Sequence, residues 1–118
     1  MTIDTFTAIC RQLPSVTEEM KWGNDLCFMV GNKMFCVIIP ERPVKVSIKV
    51  LDEEFTELSD RIGIIPAPYA ARYKWILVED VTVFKKSEWK HYINQSYNLV
   101  RSRLPKKLQR ELGLGSCP

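Results

Sequence analysis

Seven consecutive residues, Val44-Lys-Val-Ser-Ile-Lys-Val50, alternate strictly between branched apolar and polar side chains. A period of two belongs to a strand and sorts its side chains between the two faces of a sheet. Val44, Val46, Ile48 and Val50 are thereby assigned to a core, and Lys45, Ser47 and Lys49 to an exposed face. The segment excludes an all-helical fold and demands neighbours to pair with. Leu26 to Val30 and Lys33 to Ile39 supply two of them, joined at Gly31-Asn32, residues that tolerate positive φ and suit a tight hairpin. Val16, Glu18, Met20 and Trp22 alternate with Thr17, Glu19 and Lys21, a strand whose charges place it near a sheet edge. Another strand is expected from Lys74 to Glu79.

Three helices complete the pattern. Thr2 is a fitting N-cap, and Phe6, Ile9, Cys10 and Leu13 then recur at helical spacing until Pro14 stops the run. From Asp52 to Ile62, with Asp52 as cap, Phe55, Leu58 and Ile62 form an inner stripe, Glu53 and Glu54 favour the positive end of the helix dipole, and Gly63 ends the helix. Ser87 is expected to cap a last helix with the stripe Trp89, Tyr92, Ile93, Ser96, Val100 and Leu104. Pro105 breaks it, and Lys106 to Leu112 has room for one short turn. The expected order is α-β-β-β-β-α-β-α, and the fold class α+β: a two-layer sandwich of one antiparallel sheet with helices on one face. At 118 residues the chain is read as a single domain, residues 1–112, with a flexible tail at 113–118.

Several functions are disfavoured by what the chain lacks. Cys10, Cys27, Cys36 and Cys117 form no C-x-x-C pair and His91 is the one histidine, so no metal site and no cofactor are expected. The cysteines read as buried thiols plus one in the tail. No G-x-S-x-G, P-loop, H-E-x-x-H or dinucleotide glycine pattern occurs, so an enzyme is not expected. Asp25 and Lys49 would form an acid–base pair only if the fold joined them. The opening Met1-Thr-Ile-Asp-Thr-Phe6 has no leader character, and the longest apolar run is the six residues Met34 to Ile39. A cytoplasmic protein with no membrane association is expected, a monomer being favoured.

The sequence is uneven in charge. Net charge is +3, but residues 85–110 carry eight cations and one acid. The loop Pro66-Ala-Pro-Tyr69 is stiffened by its prolines and leads into Arg72-Tyr-Lys-Trp75, where aromatic faces stand beside cations. Two binding functions follow. In the first, DNA is the partner: Lys33, Lys45, Lys49, Arg72 and Lys74 contact phosphates from the sheet side, and Arg101, Arg103, Lys106 and Lys107 from the helix side. In the second, a small ligand or a protein enters an aromatic pocket beside the Pro66–Tyr69 loop, lined by Trp22, Phe28, Tyr69, Tyr73 and Trp75 with Asp25, Ser47 and Lys49 as its polar groups. Core packing is the commoner fate of tryptophan and is expected of Trp22 and Trp75.

Trp22-Gly-Asn-Asp25 followed by Phe28-Met-Val-Gly-Asn-Lys-Met-Phe35 resembles the front of the MmcQ/YjbR family of small bacterial proteins. Ser47-Ile-Lys49, Pro66-Ala-Pro-Tyr69, Lys74-Trp75, Ser96-Tyr97 and Leu104-Pro-Lys-Lys107 extend the resemblance over nearly the whole chain. It implies a CyaY-like sandwich, described as a double-wing arrangement, and a DNA-binding role. The related frataxins bind iron through an acidic first helix. Here that helix offers only Asp4, so iron binding is not expected.

Overall fold

The computed structural model describes residues 1–113. Six antiparallel strands form one sheet: β1 (Val16–Lys21), β2 (Asp25–Val30), β3 (Lys33–Ile39), β4 (Lys45–Lys49), β5 (Ile64–Pro66) and β6 (Trp75–Val78). Their order across the sheet is β1-β2-β3-β4-β6-β5. Helices α1 (Ile3–Arg11), α2 (Asp52–Ser59), α3 (Lys86–Ser102) and α4 (Lys106–Glu111) complete the α+β architecture, with single 3-10 turns at Ala71–Tyr73 and Val81–Val83. Two elements join those read from the sequence. The run after Gly63 pairs with β6 as a three-residue edge strand, and the segment after Pro105 is a helix. The expected tail lies, apart from Gly113, outside the described residues, as does Cys117.

One face of the sheet carries the core. Phe28, Val30, Cys36, Ile38, Val46, Ile48, Ile76 and Val78 are buried there against Phe6 and Ile9 of α1, Leu58 of α2 and the inner stripe of α3. Phe28 therefore belongs to the core and not to a pocket. Trp89 is the core tryptophan. Phe6 and Phe84 meet its ring edge-on at 4.9 and 5.1 Å, and its Nε1–H donates to the Val81 carbonyl at 2.8 Å. Cys10, Cys27 and Cys36 are buried free thiols. A hydrogen bond with Cys10, together with burial, pushes the Cys36 thiol well above its ordinary pKa, the opposite of what a nucleophile needs.

The helix starts show how local chemistry sets the boundaries. Thr2 caps α1 as expected, its hydroxyl accepting from the Thr5 amide at 3.2 Å. The other two long starts lie slightly upstream of the expected caps. The Leu51 amide donates to Glu54 and the Lys85 amide to Glu88, so a glutamate of the first turn reaches back where Asp52 and Ser87 were expected to cap. Helix α2 ends at Ser59, before Ile62 completes another turn. Ile62 is 97% exposed and drops out of the inner stripe.

Two links fasten α3 across the sheet. Ser96, fully buried, accepts from the Lys49 amide at 3.0 Å and donates to the Phe35 carbonyl at 2.5 Å. Phe35 is the extra residue where the β2–β3 register shifts, so its carbonyl is released from the strand ladder. The Tyr97 hydroxyl donates to the Pro14 carbonyl at 2.6 Å, and its ring stands edge-on to Phe35. Beyond α3, Leu104 packs onto the β2–β3 turn. Gly31 has φ 57°, and a Cβ there would lie 2.7 Å from Leu104 Cδ1, so any other residue is strained and must displace the end of the Leu104 side chain.

Candidate binding cavity

The second face of the sheet is not a solvated surface. Val37 and Ile39 of β3, Ser47 and Lys49 of β4, and Trp75 and Leu77 of β6 share it by strand alternation, and they floor a cavity of about 960 Å³. The proline loop walls one side with Ala67, Pro68, Tyr69, Ala70 and Tyr73. Opposite stand Lys33 and Met34 of β3 with Val100, Arg103, Leu104 and Pro105, where α3 runs past the sheet. Trp22, on the turn joining β1 to β2, and Asp25, the first residue of β2, complete the rim. Trp22, Asp25, Ser47, Tyr69 and Trp75 are thus gathered around one volume. The size falls within the range usual for organic ligands.

Two rim aromatics are held in an unusual way. Trp22 has φ 49° and Tyr69 φ 66°, left-handed conformations that are disfavoured for bulky side chains. Both rings remain in solvent: Trp22 is 68% exposed and Tyr69 fully so. Trp22 is therefore not a core residue. Trp75, half-buried, belongs to the cavity floor and not to the helix-covered core.

Lys49 departs furthest from its expected exposure. It is only 6% exposed, because the proline loop and the end of α3 close over β4. Its ammonium donates to the Tyr73 carbonyl, which ties β4 to the loop. Burial lowers its pKa, Arg103 acts in the same direction, Asp52 opposes them, and Lys74 adds a smaller downward push. Asp25 moves the other way: burial raises its pKa, and Glu41 adds to the effect. The fold does not join these two groups. Asp25 lies one step beyond the Leu26–Ile38 pair and Lys49 one step beyond the Ile48–Cys36 pair. They are separated by about four residues, or roughly 13 Å, along the strands. Ser47 donates to the Ile76 carbonyl at 2.9 Å and keeps acceptor capacity toward the cavity.

The cations nominated for DNA scatter. Arg101 is 8% exposed and cannot clamp a phosphate. Lys49 is enclosed. Lys45 faces Glu41 at 3.7 Å and Glu79 at 4.0 Å, so its charge is offset. The Arg72 guanidinium lies over the Tyr73 ring at 4.7 Å and donates to its hydroxyl, and Lys74 sits 5.1 Å from the Phe55 ring. Lys33 and Arg103 point their charge at the cavity rim, whereas Lys106 and Lys107 are exposed on α4. A second hollow of about 530 Å³, between Lys90, His91, Asn94, Gln95, Asn98 and Leu99, has α3 alone for a wall. His91 is exposed there. Among the described residues no cluster of three or more His, Cys, Asp or Glu stands ready to hold a metal, and no helix is long and apolar enough to cross a membrane.

The family model for YjbR matches residues 11–99, three quarters of the chain and every strand of the sheet. The chain belongs to the YjbR family. Among solved structures, this YjbR protein is similar to Deinococcus radiodurans protein DR2400, described by its domain DUF419. Identity is 27% and the TM-score 0.83, covering 95% of this chain and 88% of that one. A protein from Pseudomonas syringae shares the fold at 17% identity and a TM-score of 0.71, covering 85% of this chain and 99% of that one. No curated protein matches the sequence. Several residues that carry the family resemblance have structural employment: Ser96 and Tyr97 fasten α3, Gly31 admits Leu104, and Lys49 braces the proline loop.

Proposed function

We propose that this YjbR protein is a binding protein whose site is the cavity on the sheet face away from the core, and that its ligand is a small organic molecule with an aromatic or otherwise apolar body. The observation that carries the reading is the rim: two large aromatic side chains, Trp22 and Tyr69, are held in disfavoured backbone conformations with their rings exposed beside an apolar floor. Strain of this kind costs about 1–3 kcal/mol per residue and gathers at ligand sites. Exposed rings beside a concave apolar surface gain free energy when a ligand covers them. The three tryptophans provide the test. Fragment mixtures are added to 15N-labelled protein while the indole N–H signals are followed. Ligands of this site shift Trp22 and Trp75 and leave Trp89 unmoved, since Trp89 is enclosed in the opposite layer. A broad aromatic library that moves neither Trp22 nor Trp75 refutes the reading.

DNA binding is a second reading, favoured by the exposed cations Lys106, Lys107 and Arg110 on α4, none of which has an acidic partner among the described residues. Phosphate contacts of this type release counterions and weaken steeply with salt. Anisotropy of a labelled duplex at about 50 and 200 mM salt decides it. Binding that collapses at the higher salt and is abolished by replacing the three α4 cations with Glu supports it. No binding at the lower salt removes it.

A further inference from the structure

We infer that the ligand carries an anionic group, such as a carboxylate, sulfonate or phosphate, and that this group is the counterion of Lys49. The inference rests on the cavity being the binding site and adds the chemical class of what enters it. Lys49 is more than nine-tenths buried in the cavity floor, yet among the described residues no carboxylate lies within 4 Å of its ammonium. Its protein acceptor is the Tyr73 carbonyl. An ammonium has three N–H donors, so two remain for something in the cavity. A buried charge without an ion-pair partner is costly. Arg103 and Lys74 repel it, Asp52 offsets part of that repulsion from beyond ion-pair distance, and Arg103 and Lys33 line the same end of the cavity. Asp25, the acid on the rim, stands at the opposite end of the strands and cannot compensate. Three cations therefore converge on a volume whose remaining lining is largely apolar and aromatic. An aromatic molecule with its anion between Lys49 and Arg103 satisfies both halves of that lining at once.

Two dyes with the same ring system test this: anionic 8-anilinonaphthalene-1-sulfonate and neutral N-phenyl-1-naphthylamine. Each is titrated by fluorescence, with the Trp22 and Trp75 indole signals locating it. The wild-type protein is expected to bind the anionic dye at least tenfold more tightly. Lys49→Met keeps the length of the side chain and removes the charge. It is expected to bring the ratio of dissociation constants to within threefold of unity, the ratio cancelling any change in the cavity that both dyes share. Arg103→Gln, at an exposed position where folding is safe, is expected to lower the ratio by about threefold to fivefold and carries the test if Lys49→Met does not fold. Equal affinities for both dyes in the wild type, or a preference that survives both substitutions, overturns the anion inference and leaves the cavity reading standing. If neither dye moves the Trp22 and Trp75 signals, the cavity reading falls and this inference with it.

Discussion

Ser96→Ala is the substitution that most directly probes how the two layers are joined. The Ser96 hydroxyl is fully buried and bridges the Lys49 amide at 3.0 Å and the Phe35 carbonyl at 2.5 Å. Removing it orphans one donor and one acceptor where no water reaches them. Each orphan costs about 1–3 kcal/mol, giving a total of roughly 2–6 kcal/mol, and about 3 kcal/mol serves as a conservative value within that range. With an unfolding entropy of about 2.1 cal/mol/K per residue over 118 residues, 3 kcal/mol corresponds to a fall in Tm of about 12 °C. In urea, with a slope of about 1.5 kcal/mol/M, the midpoint moves by about 2 M. Unfolding followed by far-ultraviolet circular dichroism and by tryptophan fluorescence measures both. Ser102→Ala is the control: that hydroxyl donates to the Leu99 carbonyl one turn back at an exposed position, and its loss is expected to stay within about 0.5 kcal/mol. A Ser96→Ala loss below 1 kcal/mol at unchanged slope would falsify the claim that this hydroxyl fastens α3 to the sheet.

Gly31→Ala places a Cβ at φ 57° and 2.7 Å from Leu104 Cδ1, so a loss of about 1–2 kcal/mol is expected; because the clash is with a mobile side-chain end, Leu104→Ala in the same chain should recover part of it, and strictly additive losses would contradict the contact. Lys49→Met exchanges a buried ammonium and its bond to Tyr73 for an apolar chain of equal length, and a gain of about 1 kcal/mol, or about 4 °C in Tm, is expected at pH 7. The folded pKa of Lys49 is lowered, so near and below the ordinary lysine value of about 10.4 the unfolded chain binds more protons, and wild-type stability rises with pH through that window. The advantage of Lys49→Met should therefore shrink as pH climbs toward 10.4, and a difference that is flat in pH would show that Lys49 titrates alike in both states. Asp25 has a raised folded pKa, so its penalty is present at neutral pH and is relieved as pH falls through that pKa toward the ordinary value of about 3.9. Asp25→Asn is expected to stabilise at pH 7 and to lose that advantage near pH 3.5; an advantage that persists there would point to packing instead of charge.

Legibility in the sequence followed the reach of each interaction. Features set within a few residues were readable: the Thr2 cap, the Gly31-Asn32 turn, and the parity that sends Val46 and Ile48 to the core. Arg101, expected from its charge to meet phosphates, is legible as an inward-facing residue. It stands one turn beyond Tyr97 and beside Val100, inside the stripe that Trp89, Ile93 and Ser96 define, so helical spacing already turned it inward. Ile62 fits the same kind of stripe on α2, but the chain leaves the helix at Ser59, and a period says nothing once the helix ends. β5 was hidden because three residues ending in proline carry too little alternation to count. The burial of Lys49 had no local signal at all. Period two assigned it correctly to the face away from the core, and only the folding of residues 67–73 and of the end of α3 over that face removed it from water.

That face explains why alternation alone misleads about solvent. An antiparallel sheet with helices on one side is expected to show polar residues on the other. β4 obeys, with Lys45, Ser47 and Lys49, but the strands beside it do not: β3 contributes Val37 and Ile39, and β6 contributes Trp75 and Leu77. The polar row of β4 is thus set between two apolar rows. A solvated sheet gains nothing from such an arrangement, since the flanking apolar side chains would each lose by facing water. A second core would not place an ammonium at its centre. A cavity that receives a molecule with both an apolar body and an anionic group uses both features of the face, and the disfavoured backbone at Trp22 and Tyr69 then keeps the rings that close over it in position.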